Sequence, residues 1–386
     1  MAELRQTGAS PDRQTILVYR DSIVPRSEAH FLRRLYIGFE RLAPVWVGRR
    51  RDDGLGDLGA EPLFLGGCGM RGIVARALFK HLGALPSVPD LAALRPRLVH
   101  AHFGRGGALA LPIARALGIP LVVTFHGGDA TKDAHYRRRM LPSVFQRRLA
   151  ALRRETVLFL CVSEFIRDRL LARGFPPEKL LVHRYGIELE PEDRGGELDG
   201  EGAILFAGRF VEKKGVAVLV EAMRRLDPAN RPPLVLVGDG PLGEALKRMA
   251  APLGRVEFAG WLPNDELRRR MRGALAVCVP SLAAPDGDAE GLPNVVIEAM
   301  AAGVPVVGSR HAGIPEAVED ERTGLLVPPG DPAALAGALR RLVGNPELRR
   351  RLGSAAREVA AERFDAVGQS RRLESILRRI IDGATP

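Results

Sequence analysis

The chain has 386 residues, of which 46% are hydrophobic, and it carries a formal net charge of +11 at pH 7. This length allows two domains with full cores, and the hydrophobic content excludes a disordered chain. No apolar run approaches about eighteen residues and the N-terminal stretch lacks an apolar signal core, so we expect a cytoplasmic protein without a membrane span.

Short β-branched runs alternate with longer amphipathic runs along the whole chain, a pattern typical of parallel sheets with crossover helices. A stretch rich in glycine and acid, residues 185–202, separates two such series. We therefore predict an α/β fold with two doubly wound Rossmann-like domains, 1–192 and 193–364, facing across a cleft. A final helix over 365–386 is expected to pack back toward the first domain. The predicted strands are 15–19, 97–103, 120–126 and 157–163, then 203–208, 233–240, 255–260, 274–281 and 304–309.

The positive charge is confined to the first half of the sequence. Residues 1–192 contain 30 Lys and Arg against 19 Asp and Glu, a net of +11, whereas residues 193–386 contain 27 of each. This asymmetry predicts an anionic partner for the first half alone. The high isoelectric point also suggests a nucleic-acid binder, but the basic runs lack interleaved aromatic residues for stacking, so we expect no nucleic acid.

The second half places charged residues after its predicted strands, where parallel sheets bind ligands. Arg209 and Lys214 follow the strand at 203–208 and can converge on one anion, or can be two solvated cations. Glu290 precedes a short helix that starts near Pro293, and the N-terminus of a helix attracts phosphate. Glu298 lies about one and a half turns inside that helix among apolar neighbours, so it needs a partner, either an arginine or a diol such as a ribose.

Six motifs occur in one order: "FAGRFVEKKG", "LVGDGPL", "FAGWLP", "EGLPNVVIEAMAAGVPVV", "GIPEAV" and "TGLLVPPGD". This ordered set closely resembles the retaining glycosyltransferases of family 4, which have the GT-B fold. The loop after the first strand reads "VPRSEAHF" in place of the usual glycine pair of that family. Its residues 25–28 resemble a subgroup found in exopolysaccharide assembly, although Ser27 also suits a helix cap.

The resemblance implies roles for particular residues. Arg209 and Lys214 would hold the diphosphate of a nucleotide-sugar, and Glu298 would bind the ribose hydroxyls. His126, in "TFHGGD", would face the donor sugar from the first domain. The remaining donor contacts would come from Glu290, Gly291, Leu292 and Asn294 at the sugar and phosphate, and from Trp261 and Leu262 beside the base.

The implied chemistry is transfer of a sugar from a UDP- or GDP-sugar to a glycan, lipid-linked or small-molecule acceptor, in bacterial surface polysaccharide assembly. Arg209, Lys214 and the helix N-terminus would stabilise the charge that grows on the leaving diphosphate, so neither a metal ion nor a separate cofactor is expected. His126 and Glu290 complete the predicted catalytic set.

Other functions compete for the same residues. "GDGPLG" at 238–243 fits a dinucleotide-binding turn, but no acid lies at the required distance. Asp286 and Asp288 resemble a metal-binding pair and are interpreted as solvated. His100, His102 and His126 could form a zinc site. Glu290 and Glu298 could be the carboxylate pair of a glycoside hydrolase, although the helical position of Glu298 argues against it.

The densest basic segment, 135–155, predicts a docking helix for an anionic membrane where a lipid-linked acceptor would lie. Apolar residues recur at helical spacing between its seven arginines. The alternative is an ordinary surface helix whose apolar side packs on the domain core. The apolar residues are Met140, Leu141, Val144, Phe145, Leu149 and Leu152; the arginines are Arg137, Arg138, Arg139, Arg147, Arg148, Arg153 and Arg154.

Overall fold

A computed structural model describes residues 13–23, 32–51, 62–66, 69–84, 88–137, 140–189 and 202–384. The chain divides into two compact units. Unit 1 comprises Met1–Gly186 and Ala366–Pro386, and unit 2 comprises Ile187–Asp365. The boundary predicted at residue 192 and the loop at 25–28 lie outside the described residues.

Unit 1 is built on a seven-stranded parallel sheet in the order β5-β3-β1-β6-β7-β8-β9. β-branched and aromatic side chains, buried on both faces, make up its central strands, as expected for a parallel sheet covered by helices. The strands are β1 (Gln14–Tyr19), β3 (Leu42–Gly48), β5 (Leu63–Phe64), β6 (Val99–His102), β7 (Leu121–Phe125), β8 (Leu158–Cys161) and β9 (Leu180–Val182), with β2 (Ser22–Ile23) and β4 (Arg50–Arg51) forming a separate pair.

Helices follow the strands of unit 1. Gly104 and Gly107 begin α3 against the sheet, where an added Cβ would lie within 2.6 Å of Phe125 and 2.7 Å of Val123. These glycines let the helix approach β7 closely. The helices are α1 (Gly69–Leu82), α2 (Val88–Ala93), α3 (Gly104–Leu117), α4 (Gly128–Thr131), α5 (Val144–Glu155) and α6 (Glu164–Ala172).

The C-terminal helix of the chain belongs to unit 1. Glu374, which is 7% exposed, accepts hydrogen bonds from the backbone N–H groups of Glu40, Arg41 and Leu42, the shortest at 2.7 Å. Ser370 accepts a bond from the N–H of Gly38 at 2.9 Å. A buried carboxylate that receives three N–H donors is well compensated, so these bonds fix the helix to the segment before β3.

Unit 2 is built on a six-stranded parallel sheet in the order β12-β11-β10-β13-β14-β15. The order reverses beside β10, so β10 and β13 flank the switch point at which such sheets bind ligands. The strands are β10 (Ala203–Ala207), β11 (Leu234–Val237), β12 (Val256–Gly260), β13 (Ala274–Val279), β14 (Val306–Ser309) and β15 (Gly324–Val327).

One contiguous hydrophobic core holds this second sheet against its helices. The "VAVLVEAMR" helix buries Val216, Leu219, Val220, Ala222 and Met223 at helical spacing. The helices of unit 2 are α7 (Val216–Arg224), α8 (Gly243–Ala250), α9 (Asn264–Arg272), α10 (Asn294–Ala301), α11 (Ile314–Ala317), α12 (Pro332–Val343) and α13 (Pro346–Arg363), and α14 (Ala366–Ile381) is the C-terminal helix of unit 1.

All nine predicted strands are present, and the sequence prediction missed several others. β3 contains Pro44, which removes an N–H from the ladder and weakens a strand pattern. β5 and β9 have only two and three residues. These strands exist because neighbouring strands supply their hydrogen bonds.

The basic segment 135–155 does not form a single interfacial helix. α5 begins at Val144 with a capping box between Ser143 and Gln146, and it buries Val144, Phe145 and Leu152 in unit 1. Met140 and Leu141 precede the helix and are 98% and 87% exposed. The alternative of an ordinary surface helix therefore applies to 144–155.

Candidate functional site

The turns after the central strands of unit 2 are held together by glycines. Gly238 follows β11 with φ +127°, and an added Cβ would lie 2.0 Å from the carbonyl oxygen of Gly208, which follows β10. Gly215 has φ +65°, and its added Cβ would lie 1.8 Å from the carbonyl oxygen of Pro280 after β13. Only glycine allows these approaches, so the "GRFVEKKG" turn packs directly against the loop that leaves β13.

This packing brings four charged side chains into a half-buried cluster. The Nζ atom of Lys214 lies 3.2 Å from Oε2 of Glu290, and that of Lys213 lies 3.1 Å from Oε1 of Glu290. Lys213 also lies 3.1 Å from Oδ1 of Asp288. All four side chains are no more than 20% exposed. We call Lys213, Lys214, Asp288 and Glu290 the ionic cluster.

The side chains of the ionic cluster are poorly hydrated, so each ionised form depends on the opposite charges beside it. Burial favours the protonated form of Glu290, but Lys214 and Lys213 outweigh it, so the pKa of this carboxyl is lowered. Burial likewise opposes the charged form of Lys213, while Glu290 and Asp288 raise the pKa of its amine. Glu290 is therefore a carboxylate and Lys213 an ammonium at neutral pH.

The other predicted site residues of unit 2 are close to the ionic cluster in the sequence. Arg209 is exposed after β10, and its guanidinium makes no hydrogen bond or ion pair to any residue in the described part of the chain. Gly291 and Leu292 are buried, and the carbonyl of Gly291 accepts the N–H of Gly313 at 2.8 Å. Backbone packing therefore fixes the loop that carries Glu290.

The helix α10 begins at Asn294, with Pro293 as its N-cap, one residue later than a start at the proline itself. The first N–H groups of a helix have no intrahelical acceptor and attract anions. Glu298 is the fifth helical residue and is half-buried among buried neighbours. Trp261 is 53% exposed directly after β12, and Leu262 beside it is half-buried.

In unit 1, the ring of His126 follows β7 and both of its nitrogens have protein partners. Nε2 lies 3.1 Å from Nδ1 of His102, and Nδ1 is hydrogen-bonded to the hydroxyl of Tyr185. The ring stacks on Tyr185 and lies 4.3 Å from the ring centroid of Phe103. Phe103 has φ +65°, an uncommon conformation for a bulky residue, so the fold holds this ring against His126 at some cost.

The aspartate of "TFHGGD" holds the backbone of this site. Asp129 accepts hydrogen bonds from the N–H groups of His126 at 3.1 Å, Gly127 at 2.8 Å and Gly104 at 3.0 Å. Gly104 begins α3 after β6, so one carboxylate joins the ends of two neighbouring strands. Burial raises the pKa of Asp129 even though these three donors favour its charged form.

His100 and His102 are buried, His126 beside them is half-buried, and all three are neutral. Burial lowers the pKa of His100 to about 3, and it lowers the pKa values of His102 and His126 well below the ordinary value. The described residues contain no group of His, Cys, Asp or Glu arranged to hold a metal ion. Asp288 was interpreted as solvated, and that was wrong, because it is 14% exposed and paired with Lys213; Asp286 is exposed.

Solved structures of other proteins share the architecture of this chain. An Anabaena protein, Alr3699/HepE, determined with UDP and glucose, matches 95% of this chain and 100% of its own with a TM-score of 0.76 and 20% identity. A sucrose-phosphate synthase from Thermosynechococcus elongatus matches 96% of this chain and 100% of its own with a TM-score of 0.74 and 22% identity. The predicted GT-B fold is confirmed.

Sequence comparisons give the family. Residues 61–191 match the model "Glycosyltransferase Family 4", and residues 190–359 match "Glycosyl transferases group 1". The putative colanic acid biosynthesis glycosyltransferase WcaL of Salmonella typhimurium is 33% identical over 72% of this chain and 70% of its own. The amylovoran biosynthesis glycosyltransferase AmsK of Erwinia amylovora is 37% identical over 62% of this chain, and the match spans 60% of its length. The chain therefore belongs to the group 1 and family 4 glycosyltransferases.

Sequence reasoning found Lys214 and Glu290 but missed the partners that position them. Lys213 adjoins Lys214 in "EKKG", and no local pattern distinguishes the two lysines. Tyr36 and Tyr185 lie far along the chain from His126 and carry no motif of their own. The predicted roles of the site residues, catalytic or ligand-binding, stay predictions.

Proposed function

We propose that this chain transfers a sugar, with retention of configuration, from a nucleoside diphosphate sugar to a glycan or lipid-linked acceptor. The ionic cluster carries the proposal. It lies at the switch point of the unit 2 sheet, next to an exposed arginine and before the N-terminus of α10. The family membership and the names of WcaL and AmsK, both of polysaccharide biosynthesis, support the same substrate class.

The charge balance indicates which groups would hold a diphosphate. Lys213 and Lys214 are matched by Asp288 and Glu290, so the cluster itself has no net charge. Arg209 and the N–H groups of α10 supply the surplus positive potential that an incoming diphosphate needs. As the glycosidic bond breaks, negative charge grows on the leaving phosphate, and cations held in a poorly hydrated site stabilise it more than water does.

Glu290 would serve a second purpose. Its ion pairs keep it ionised and fixed, so it offers a carboxylate to donor-sugar hydroxyls without first losing a proton. We assign the ribose diol to Glu298, one and a half turns inside α10, and the base to Trp261. If the acceptor attacks the face from which the diphosphate departs, retention needs no side-chain nucleophile, and a phosphate oxygen of the leaving group can take the proton of the acceptor.

Titration calorimetry with UDP and with GDP tests this site. Wild type should bind one of the two, and Lys214→Gln or Arg209→Gln should weaken that binding at least tenfold, about 1.4 kcal/mol. Arg224→Gln is the matched control, because Arg224 is exposed on α7 and pairs only with Glu221 in the described chain. Failure of both nucleotides to bind, or wild-type affinity in both site variants, would overturn the proposal.

We further propose that unit 1 docks on an anionic membrane surface, through α1 rather than through α5. The solvent side of α1 is apolar, with 43–76% of each side chain exposed at Met70, Ile73, Val74, Leu78 and Leu82. The helix contains no acidic residue. An apolar face flanked by cations is the pattern of an interfacial helix.

Basic residues border this apolar face. Arg71 lies on α1 itself, and Arg147 of α5 contacts the ring of His81 at 3.3 Å. Lys80, Arg147, Arg49 and Arg148 help to lower the pKa of His81, after partial desolvation, so the local potential is positive. Arg148 donates to the carbonyl of Ala108 at 2.8 Å and is structural. In the described residues no helix is long and apolar enough to cross a bilayer.

Vesicle sedimentation tests the docking proposal. Wild type should sediment with phosphatidylglycerol vesicles at low salt and leave them as salt rises, because the attraction is screened. The triple variant Met70→Gln/Ile73→Gln/Leu82→Gln should lose this binding. The pair Val157→Gln/Leu171→Gln is the control, since both side chains are exposed on other elements. Equal binding by the triple variant and wild type would exclude α1.

A further inference from the structure

A chain of five hydrogen bonds runs through the core of unit 1 to His126. Its six members are Thr124, His100, Tyr36, His102, His126 and Tyr185. Nε2 of His100 lies 2.7 Å from Oγ1 of Thr124, and Nδ1 of His100 lies 2.7 Å from the hydroxyl of Tyr36. The same hydroxyl lies 2.7 Å from Nε2 of His102. His102 then bonds to His126, and His126 to Tyr185.

The protons available restrict how this chain can be arranged. Each neutral imidazole has one N–H donor and one bare nitrogen, and each hydroxyl has one proton. Every link needs one donor and one acceptor. If Tyr36 accepted from both His100 and His102, its own proton would be unpaired at a residue only 7% exposed. Tyr36 therefore accepts from one histidine and donates to the other.

All five links are then satisfied in only two ways. In one, the three histidines carry their proton on Nδ1 and donation runs from Thr124 to Tyr185. In the other, they carry it on Nε2 and donation runs from Tyr185 to Thr124. The tautomer of His100 thus dictates that of His126, although two hydrogen-bonded groups, Tyr36 and His102, lie between them.

We propose that Tyr36 is a positioning residue that locks His100, His102 and His126 into one common tautomer, and thereby sets which nitrogen of His126 carries a proton. The relevance to sugar transfer rests on the proposed function and on the predicted role of His126, which would face the donor sugar. The lock itself does not depend on it. Because both ring nitrogens of His126 are engaged, a donor hydroxyl gains one of them only by displacing Tyr185.

The surroundings keep the chain neutral. His100, His102 and Tyr36 are buried, and burial disfavours a charged imidazole. Arg20, whose guanidinium lies 4.1 Å from the ring centroid of Phe103, adds positive potential at His102 and His126. The carboxylate of Asp129, which accepts the N–H of His126, is occupied by that donor and by two further backbone N–H groups.

Nitrogen NMR of the full-length protein with ¹⁵N-labelled histidine tests the lock, since protonated and bare ring nitrogens have well separated shifts. In wild type at pH 7, all three histidines should show the same tautomer. In Tyr36→Phe, Nδ1 of His100 and Nε2 of His102 face the edge of the phenylalanine ring in place of the hydroxyl. A bare nitrogen is tolerated there better than an unpaired N–H. His100 should then carry its proton on Nε2, and His102 and His126 on Nδ1, so that His100 and His102 become opposite.

Two further variants complete the experiment. Tyr19→Phe is the matched control, because Tyr19 is fully buried in the same sheet but is not one of the six hydrogen-bonded residues. This variant should leave all three tautomers unchanged. Thr124→Val should place all three protons on Nδ1, and it serves if Tyr36→Phe does not fold. Mixed tautomers in wild type or in Thr124→Val would overturn the proposal, as would unchanged tautomers in Tyr36→Phe. Shifts are read without substrate, so failure of the sugar-transfer proposal leaves this result intact.

Discussion

At the carboxyl edge of the unit 1 sheet, the hydrogen-bonded side chains around His126 are neutral imidazoles and hydroxyls, whereas at the same edge of the unit 2 sheet the ionic cluster consists of charged side chains. Both edges arise from parallel strands with crossover helices, and both are poorly hydrated. In unit 1 burial removes charge from the histidines. In unit 2 each buried charge has an opposite charge within 3.2 Å. The same topology thus gives either a neutral relay or an ion-binding edge, depending on whether counter-charges are supplied.

The largest expected effect is that of acid, which should lower the stability of unit 1 at a higher pH than that of unit 2. The pKa values of His100 and His183 are lowered to about 3 and about 4, and those of His102 and His126 are also lowered. Below pH 6.5 the unfolded histidines take up protons that the native ones refuse. Unit 1 should therefore lose about 1.4 kcal/mol per pH unit for each of these histidines as the pH falls from 6.5.

Unit 2 should begin to lose stability only at a lower pH than unit 1. The pKa of Glu290 is lowered in the folded state, so its contribution is present above its ordinary value near 4.5 and is lost as the pH falls below it. Hydrogen exchange followed by mass spectrometry at pH 7, 5.5 and 4.5 distinguishes the sheets. Protection lost first in β10 and β13, with β6 and β7 intact, would contradict the comparison.

The next effect concerns the backbone that assembles the ionic cluster. Gly215→Ala places a Cβ 1.8 Å from the carbonyl oxygen of Pro280, in a conformation with φ +65°. We expect a loss of about 3 kcal/mol in the free energy of unfolding, measured with urea. Gly254→Ala is the control, because Gly254 also has positive φ but nothing lies within 4 Å of its added Cβ. Equal losses would mean that backbone strain alone, not the contact with Pro280, matters.

Steady-state kinetics with a nucleotide-sugar donor test the ionic cluster and the neighbouring Arg209. Arg209→Ala or Lys214→Ala should lower kcat/KM at least tenfold, about 1.4 kcal/mol, because each removes a cation from the leaving group. Lys213→Ala should cost less, since Lys213 acts through the position of Glu290 and Asp288. Unchanged kinetics in the first two variants, with circular dichroism as for wild type, would remove both from the catalytic set.

A smaller effect divides the two glutamates. Glu298→Gln should weaken binding of the bare nucleoside diphosphate severalfold, if its partner is a ribose. Glu290→Gln should reduce turnover of the sugar donor more than it reduces binding of the diphosphate. Calorimetry and steady-state rates measured on the same preparations give both quantities. The division of roles fails if the two variants lose binding and turnover in equal proportion.

The smallest expected effect is that of a chelator. Asp288 and Glu290 each lie 3.1 Å from the ammonium of Lys213, so a divalent ion would have to compete with a cation already in place. Transfer rates should be the same with EDTA as without it. Loss of activity that Mn²⁺ or Mg²⁺ restores would instead make Asp286 and Asp288 metal ligands.

The sequence by itself determined the features that depend on local pattern. Alternating buried runs specified the parallel sheets, and the spacing of turn glycines marked where strands end. Lys214, Glu290 and the start of α10 were found because each directly follows a strand or begins a helix, so their place in the chain fixes their place at the edge of the sheet. The ordered motifs were enough to indicate the family, which the relatives confirm.

Tertiary packing decided which side chains meet. Tyr36 reaches His100 and His102 although 64 and 66 residues separate them along the chain, and Lys213 meets Asp288 across 75 residues. Such pairs leave no periodic trace, because each is set by the register of neighbouring strands and the close approach of glycine backbones. Tertiary packing also decides which apolar side chains are exposed. The apolar side of α5 packs on the core, whereas α1 has an apolar side that faces solvent. Both helices carry apolar and basic residues, and only the neighbours they pack against distinguish them.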